Sequence, residues 1–286
     1  LCISDFAQIE ARVTPWLAGD TKTLELAAKG MSVYEIHARV SMGWTGGVLK
    51  KEDPKKYMLA KARVLGLGFQ CGWYKFVTFA RASLSAEDCE TVFGAPYKRE
   101  DEIRFTEYLE MYDKKGTYRR MFPKQPDEIK RHWINSWLQV TDFRAKNPKI
   151  VKLWRQLDDG YKSSVGGNYE VQLPSGRWLR YWNVNDAEGG SPQARTTRGG
   201  PFYHLYGGLL VENLVQATAR DVFAEAIVRI WKAGIRIVMH AHDEIVAEVP
   251  KDFELKRLEQ LMTTPPAWAK GLPIGVEAEE SLTYKK

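Results

Sequence analysis

Two short apolar runs, one at each end of the chain, each finish on an aspartate. Cys2-Ile3-Ser4 leads into Asp5, and residues 235–241 lead into His242-Asp243-Glu244, beyond which a second apolar run covers 245–249. Such runs read as strands, and the later pair reads as a tight hairpin with acidic groups at its tip. If Asp5 and Asp243 share one sheet edge, everything between them must be folded as an excursion from that sheet. A chain of 286 residues with 44% hydrophobic and 27% charged residues has material for one large domain or two smaller ones, without staples. Its three cysteines form no C-x-x-C pair and sit at scattered spacings, which argues against a disulfide framework and for a reducing compartment. No apolar run approaches the roughly 18 residues that span a bilayer, and no basic segment precedes an apolar one at the start. Membrane insertion and signal-driven secretion are therefore not expected, and the cytoplasm is the expected location. The chain opens on Leu1 within an apolar and acidic string, as a piece of a longer polypeptide would.

The stretch between the two aspartates reads mostly helical. A helix follows Asp5 to about residue 18, short helices cover 21–30 and 32–41, and Pro54 is placed to start a helix through 57–69. Residues 84–93, with Ser85 as N-cap ahead of Asp88, and 99–112 also read as helices, as does 127–159 with an interruption at Pro148. Residues 169–173 and 178–182 flank Pro174-Ser175-Gly176-Arg177 as a hairpin, 186–200 reads as a glycine-rich loop, and 209–233 has a strong helical period. The order of elements predicts an α+β fold with a mostly helical subdomain inserted.

Paired carboxylates repel unless cations neutralise them, and oxygen ligands at a strand edge suit Mg²⁺. Two such ions about 3.5–4 Å apart can activate an attacking oxygen and stabilise a leaving one. Asp5 reads equally as a helix N-cap with Gln8 as its capping-box partner, and Asp243 as a turn former. Lys61, Leu65 and Phe69, spaced i, i+4, i+8, share one helix face that offers a cation for phosphates and an apolar surface for a base. Gly66 and Gly68 each cost about 1 kcal/mol inside a helix, which calls for close approach of another group. An amphipathic helix with glycines at packing contacts accounts for the same residues. The net charge is +6, but its distribution is more telling. Residues 50–75 carry seven basic side chains against Glu52 and Asp53. Residues 112–155 carry twelve against four, interleaved with Tyr118, Phe122, Trp133, Trp137 and Trp154. Residues 239–286 run acidic. This is the pattern of a phosphate-backbone track beside a metal site, and equally of a solvated basic face beside an acidic tail.

The motifs resemble those of the family A DNA polymerases, especially of bacteriophages. Asp5-Phe6-Ala7-Gln8-Ile9-Glu10-Ala11-Arg12 is similar to the first palm motif, residues 61–69 to the fingers-helix motif, and residues 240–246 to the last palm motif. Residues 206–213 with Gln216 and Asp221 are similar to the long palm helix of phage members. The resemblance implies a right-hand architecture: an antiparallel palm sheet (1–20 and 161–286), an inserted fingers subdomain with the basic helical region (21–160), and no thumb. It implies that Asp5, Asp243 and the Phe6 carbonyl ligate two Mg²⁺ ions, with Mn²⁺ an alternative. Glu10 would be the steric gate against ribose, and Lys61 would neutralise the triphosphate. Phe69 and Leu65 would meet the nascent pair and the incoming nucleotide, and His37 would touch phosphates. Gln8 falls within the first motif on the substrate side, and Arg12 orders that site from behind. Gln216 and His242 would reach the DNA near the primer end, and Glu244 would support the metal site.

One departure stands out, because the family places arginine where this chain has Tyr57, with Lys55 or Lys56 as substitutes from one turn away. The activity so implied is template-directed addition of deoxynucleotides from their triphosphates to a primer 3′-hydroxyl. The partners are primer–template DNA and deoxynucleoside triphosphates, and the expected state is a monomer. A two-metal nuclease, or a fragment that binds primed DNA without turnover, are the alternatives.

Overall fold

The computed structural model describes residues 1–94, 96–187 and 191–284. Along the chain run β1 (Cys2–Phe6), α1 (Ile9–Ala18), α2 (Thr21–Ala28), α3 (Val33–Ser41), α4 (Leu49–Glu52) and α5 (Pro54–Ala62). A π-helical turn (Arg63–Leu67) precedes α6 (Trp73–Arg81), α7 (Ala86–Phe93), α8 (Arg99–Tyr112), α9 (Thr117–Met121), α10 (Asp127–Lys146) and α11 (Pro148–Lys162). Then come β2 (Tyr169–Gln172), β3 (Trp178–Asp186), β4 (Pro192–Arg195), β5 (Phe202–His204), α12 (Gly207–Lys232), β6 (Arg236–Ala241), β7 (Glu244–Glu248), α13 (Leu255–Thr263) and β8 (Val276–Glu280). Two compact units result, Leu1–Val33 with Lys152–Lys286, and Tyr34–Val151.

The first unit contains two open antiparallel sheets, ordered β6-β7-β1-β8 and β2-β3-β4-β5. In β1 and β7 residues facing both ways are buried, the pattern of strands covered on both faces rather than of a half-solvated sheet. Phe6 meets Phe223 of α12 edge-on at 5.9 Å, and α13 packs on β1 and β8. The second sheet turns Tyr169, Tyr181, Val184 and Ala194 inward onto Tyr161 of α11 and Leu210 of α12. Its first hairpin forms where expected, starting at Tyr169 and Trp178, though β3 runs four residues further, to Asp186; the tip is pinned to α12 by Arg177, whose Nε donates to Asp221 at 2.9 Å. The start of α12 requires glycine, since a Cβ on Gly207 would stand 2.2 Å from the Trp154 carbonyl oxygen.

The regular structure of the second unit is helical throughout its described residues and is organised around α10, which buries His132, Trp133, Ile134, Trp137, Val140 and Phe143. Trp73 of α6 packs edge-on against Phe105 of α8 at 5.0 Å, and Phe105 against Phe122 at 5.1 Å. The aromatics interleaved with basic residues in 112–155 are therefore mostly core. Phe122, Trp133, Trp137 and Trp154 are buried, and Tyr118 alone of that set stays half-exposed. The Ser85 capping box on α7 forms as expected, with Asp88.

Two expectations are corrected. Within 186–200, expected to be a loop, Pro192–Arg195 forms β4, because Ala194 completes the tyrosine core; residues 188–190 of that segment lie outside the described residues. The helix expected over 57–69 is α-helical only to Ala62 and then widens into the π turn, so Lys61, Leu65 and Phe69 do not share one regular face. Helices α6 and α13 and strand β8 are not among the expected elements, although α6 and α13 both carry a helical apolar period.

Candidate functional site

In the first unit, β1 pairs antiparallel with β7 in a register that sets Cys2 opposite Ala247 and Asp5 opposite Glu244. Strands β6 and β7 are joined by His242 and Asp243 alone, with Ala241 opposite Glu244, and His242 takes a left-handed backbone (φ +56°) to make so short a turn. The Phe6 N–H points at the Asp243 carbonyl at 3.4 Å, so the two acid-bearing segments meet at one sheet edge. Asp5 lies within a strand and the N-cap of α1 is Gln8, which makes no side-chain capping bond, so the N-cap reading of Asp5 is excluded.

Each neighbour of this edge is held by a specific contact. His242 Nδ1 lies 2.7 Å from Asp243 Oδ1, and this bond, with the nearby carboxylates Asp243, Glu10 and Asp5, raises the imidazole above its usual pKa. Glu10, in the first turn of α1, is raised as well, chiefly by burial; His242 opposes the rise and the charges of Glu212 and Asp243 add to it. Gln216, two turns into α12, is a hydrogen-bonding partner of Glu10. A cleft of about 430 Å³ opens here, and its lining includes Glu10, Gln216, Arg220, His240, His242 and Asp243. Glu244 is buried and accepts from the Tyr284 hydroxyl at 2.8 Å. Arg12 is also buried: its Nε donates to the Ala7 carbonyl at 2.8 Å and its Nη1 to Pro273 at 3.4 Å, which ties the segment after β1 to the one before β8. Gln8 spends its amide on Ser32 and on the Val33 N–H, at 3.0 and 2.9 Å. Among the described residues, no group of three or more His, Cys, Asp or Glu side chains gathers closely enough to hold a metal ion.

In the second unit, Asp53 caps α5 by accepting from the Lys56 N–H at 2.9 Å, with Pro54 in the first turn. Lys61 is exposed in the last turn of α5, and Leu65 and Phe69 are half-buried in and just beyond the π turn. Gly68 is needed there, since a Cβ would stand 2.4 Å from the Val64 carbonyl oxygen, whereas a Cβ on Gly66 would make ordinary contact with Phe76 at 3.6 Å. Lys55 is paired with Asp88 at 2.6 Å and the Lys56 ammonium lies 5.8 Å from the Trp44 ring centre, so neither substitute stands at Tyr57. Lys50 does, with its ammonium 5.9 Å from the Tyr57 ring centre.

The residue that sequence reading missed is Arg63. It is fully buried, and its Nε donates to His37 Nε2 at 3.0 Å, one terminal nitrogen to Gln139, and the other to Asp142 at 2.6 Å. Burial pulls its pKa down, and Asp142 opposes that. His37, itself buried, is held neutral, its pKa pushed well below the usual value by burial and by Arg63 and Lys146. The signal was present: Leu59, Arg63 and Leu67 follow an i, i+4, i+8 spacing, and a cation on an apolar stripe needs partners.

The chain is 33% identical over 294 residues to the DNA polymerase of Bacillus phage SP02, an alignment that takes in 99% of this chain and 41% of the relative. It thus spans about two fifths of that curated relative. The POL domain of Pol1 from M. smegmatis, solved in complex with DNA primer-template and dNTP, superposes on 97% of this chain and 38% of that one, with a TM-score of 0.57 and 16% identity. That likeness is one of fold. No family model matches the chain. No helix among the described residues is long and apolar enough to cross a membrane. The relations support kinship with the DNA polymerases whose motifs the sequence resembles.

Proposed function

We propose that the chain is the palm and fingers portion of a family A DNA polymerase, which extends a primer 3′-hydroxyl with deoxynucleotides under the direction of a template. The observation that carries this reading is the β1–β7 register, which brings Asp5 and the Asp243 turn to one edge from opposite ends of the chain. Hard oxygen donors in this number suit Mg²⁺, which is commonly held by one or two carboxylates and completes its shell with water and substrate phosphates rather than with an all-protein cage. The pair Asp5 and Asp243, with the Phe6 carbonyl, therefore fits such ions even though no larger side-chain cluster is found among the described residues. When bound, the ions would supply charge neutralisation to the attacking and leaving oxygens of phosphoryl transfer.

The remaining roles belong to the chain itself. Asp5 and Asp243 hold negative charge at the reacting edge, and Glu244 is kept in place behind them by Tyr284. Glu10 fills the space that a ribose 2′-hydroxyl would need, and its half-buried carboxylate is steadied by Gln216. His242 and Gln216 contact the DNA near the primer end. Lys61 receives the triphosphate and Leu65 and Phe69 offer apolar surface to the base, whereas His37, expected to touch phosphates, is buried and neutral with its Nε2 accepting from Arg63 and so holds that arginine instead. Arg12 and Gln8 keep the first motif in shape.

The test is extension of a labelled primer–template with Mg²⁺ and the four deoxynucleotides by the wild type, Asp243→Asn and Glu10→Ala. Template-dependent growth that is lost in Asp243→Asn, with ribonucleotide entry appearing in Glu10→Ala, is the expected result. Growth that survives Asp243→Asn unchanged refutes the assignment of the edge.

A further inference from the structure

Residues 113–124 form a surface that the catalytic reading does not use. Lys114, Lys115, Arg119, Arg120 and Lys124 are all exposed, and among the described residues no carboxylate forms an ion pair with any of them. The acid within the segment, Asp113, accepts the Arg119 backbone N–H at 2.9 Å, and its charge also acts on the Arg119 guanidinium without forming an ion pair with it, so one acid stands against five cations. The two arginines converge. Arg120 Nη1 and Arg119 Nη2 lie 2.9 and 3.4 Å from the single point where a Cβ on Gly116 would stand, a point that is free because the residue is glycine, which also permits the left-handed backbone there (φ +63°). Two guanidinium groups crowded over one glycine repel each other, and an anion between them would turn that repulsion into attraction.

Beside the arginines stands an aromatic platform. Tyr118, next in sequence to Arg119, has its ring centre 4.5 Å from that of Tyr74, and both rings are backed by Trp73 and Trp133. Tyr74 is 44% exposed, so part of its surface is open to solvent while the buried tryptophans fix its position. A cationic track next to a rigid, exposed aromatic ring is what a single strand of nucleic acid needs: phosphates for the guanidinia, and unpaired bases for the ring. A duplex would satisfy the charges and leave the ring without a partner.

We infer that the α9 surface, Arg119 and Arg120 with Tyr118 and Tyr74, binds single-stranded nucleic acid independently of the carboxylate edge. The probe is a fluorescein-labelled oligothymidylate of about fifteen nucleotides. Its binding is followed by anisotropy in EDTA without nucleotide, from about 50 to 200 mM salt. A second oligomer carrying 5-iodouracil is photo-crosslinked and the modified peptide identified by mass spectrometry. Crosslinks at Tyr74 or Tyr118 are expected. The double variant Arg119→Ala/Arg120→Ala should bind about tenfold or more weakly, with the slope of log K against log salt reduced by about 1.4. Tyr74→Ala should lose about tenfold for the single strand and nothing for a duplex of equal length, and Tyr74→Phe should restore the loss. Crosslinks confined to other peptides, with both variants binding like the wild type, overturn the inference. An arginine effect without a tyrosine effect overturns the single-strand assignment. Because the assay needs neither metal nor nucleotide, failure of the catalytic reading leaves its outcome unaffected.

Discussion

Gly66 and Gly68 stand two residues apart, and the same substitution is expected to move stability in opposite directions. At Gly68 an added Cβ would lie 2.4 Å from the backbone oxygen of Val64, a partner that moves only if the π turn moves. Overpacking of this kind costs about 1–3 kcal/mol. Restricting the unfolded chain returns about 0.4–1 kcal/mol, leaving Gly68→Ala destabilised by about 1–2 kcal/mol. At Gly66 the nearest atom is Phe76 Cδ2 at 3.6 Å, an ordinary contact, so only the unfolded-chain term survives. Gly66→Ala should gain about 0.4–1 kcal/mol. Urea unfolding followed by tryptophan fluorescence separates the two variants: with a slope near 2 kcal/mol/M, the midpoints should differ by about 1 M, on either side of wild type. Equal midpoints, or a more stable Gly68→Ala, would refute the claim that the close approach at Gly68 makes glycine necessary there.

Replacing Arg63 with Met strands His37, Gln139 and Asp142, and should cost about 3–5 kcal/mol, measurable by thermal unfolding. Because burial raises the folded pKa of Glu10 above its unfolded value, the native state holds more protons across that interval, and stability falls as pH rises through it. Glu10→Gln should therefore raise the unfolding midpoint at pH 8 and lose that advantage at acid pH, below the unfolded pKa. The His242 imidazole should titrate by NMR above the usual value, and fall back when Asp243 becomes Asn. The three thiols are buried and burial pushes Cys89 up to about 12, so a disulfide reagent should find them only after unfolding.

The parts of the fold that were legible in the sequence are those where one local rule acts alone. Ser85 and Asp88 form a capping box that needs no tertiary help, and Pro174–Arg177 make a turn that any neighbouring strands would accept. The carboxylate edge was legible because apolar runs ending in acids have few other uses. What stayed hidden depends on partners far along the chain. The π turn is accompanied by the burial of Arg63 against residues of α3 and α10, and periodicity has no term for that. Strand β4 exists because Ala194 finishes a tyrosine core built by α11, β2 and β3. The aromatics of 112–155 looked like a binding stripe because sequence alone does not say which rings face one another.

The register that gathers the acids also fixes an order of events. Strand β1 lies between β7 and β8, so both of its edges are closed by residues made long after it. A ribosome adding about 5–20 residues per second needs roughly 10–50 s to travel from Asp5 to Glu244. Throughout that interval the five-residue strand β1 has both hydrogen-bonding edges unsatisfied, a template for pairing with the wrong chain. Nascent chains arrested before residue 244 should accordingly be cut by protease near Asp5, and those that have passed Glu280 should be protected there.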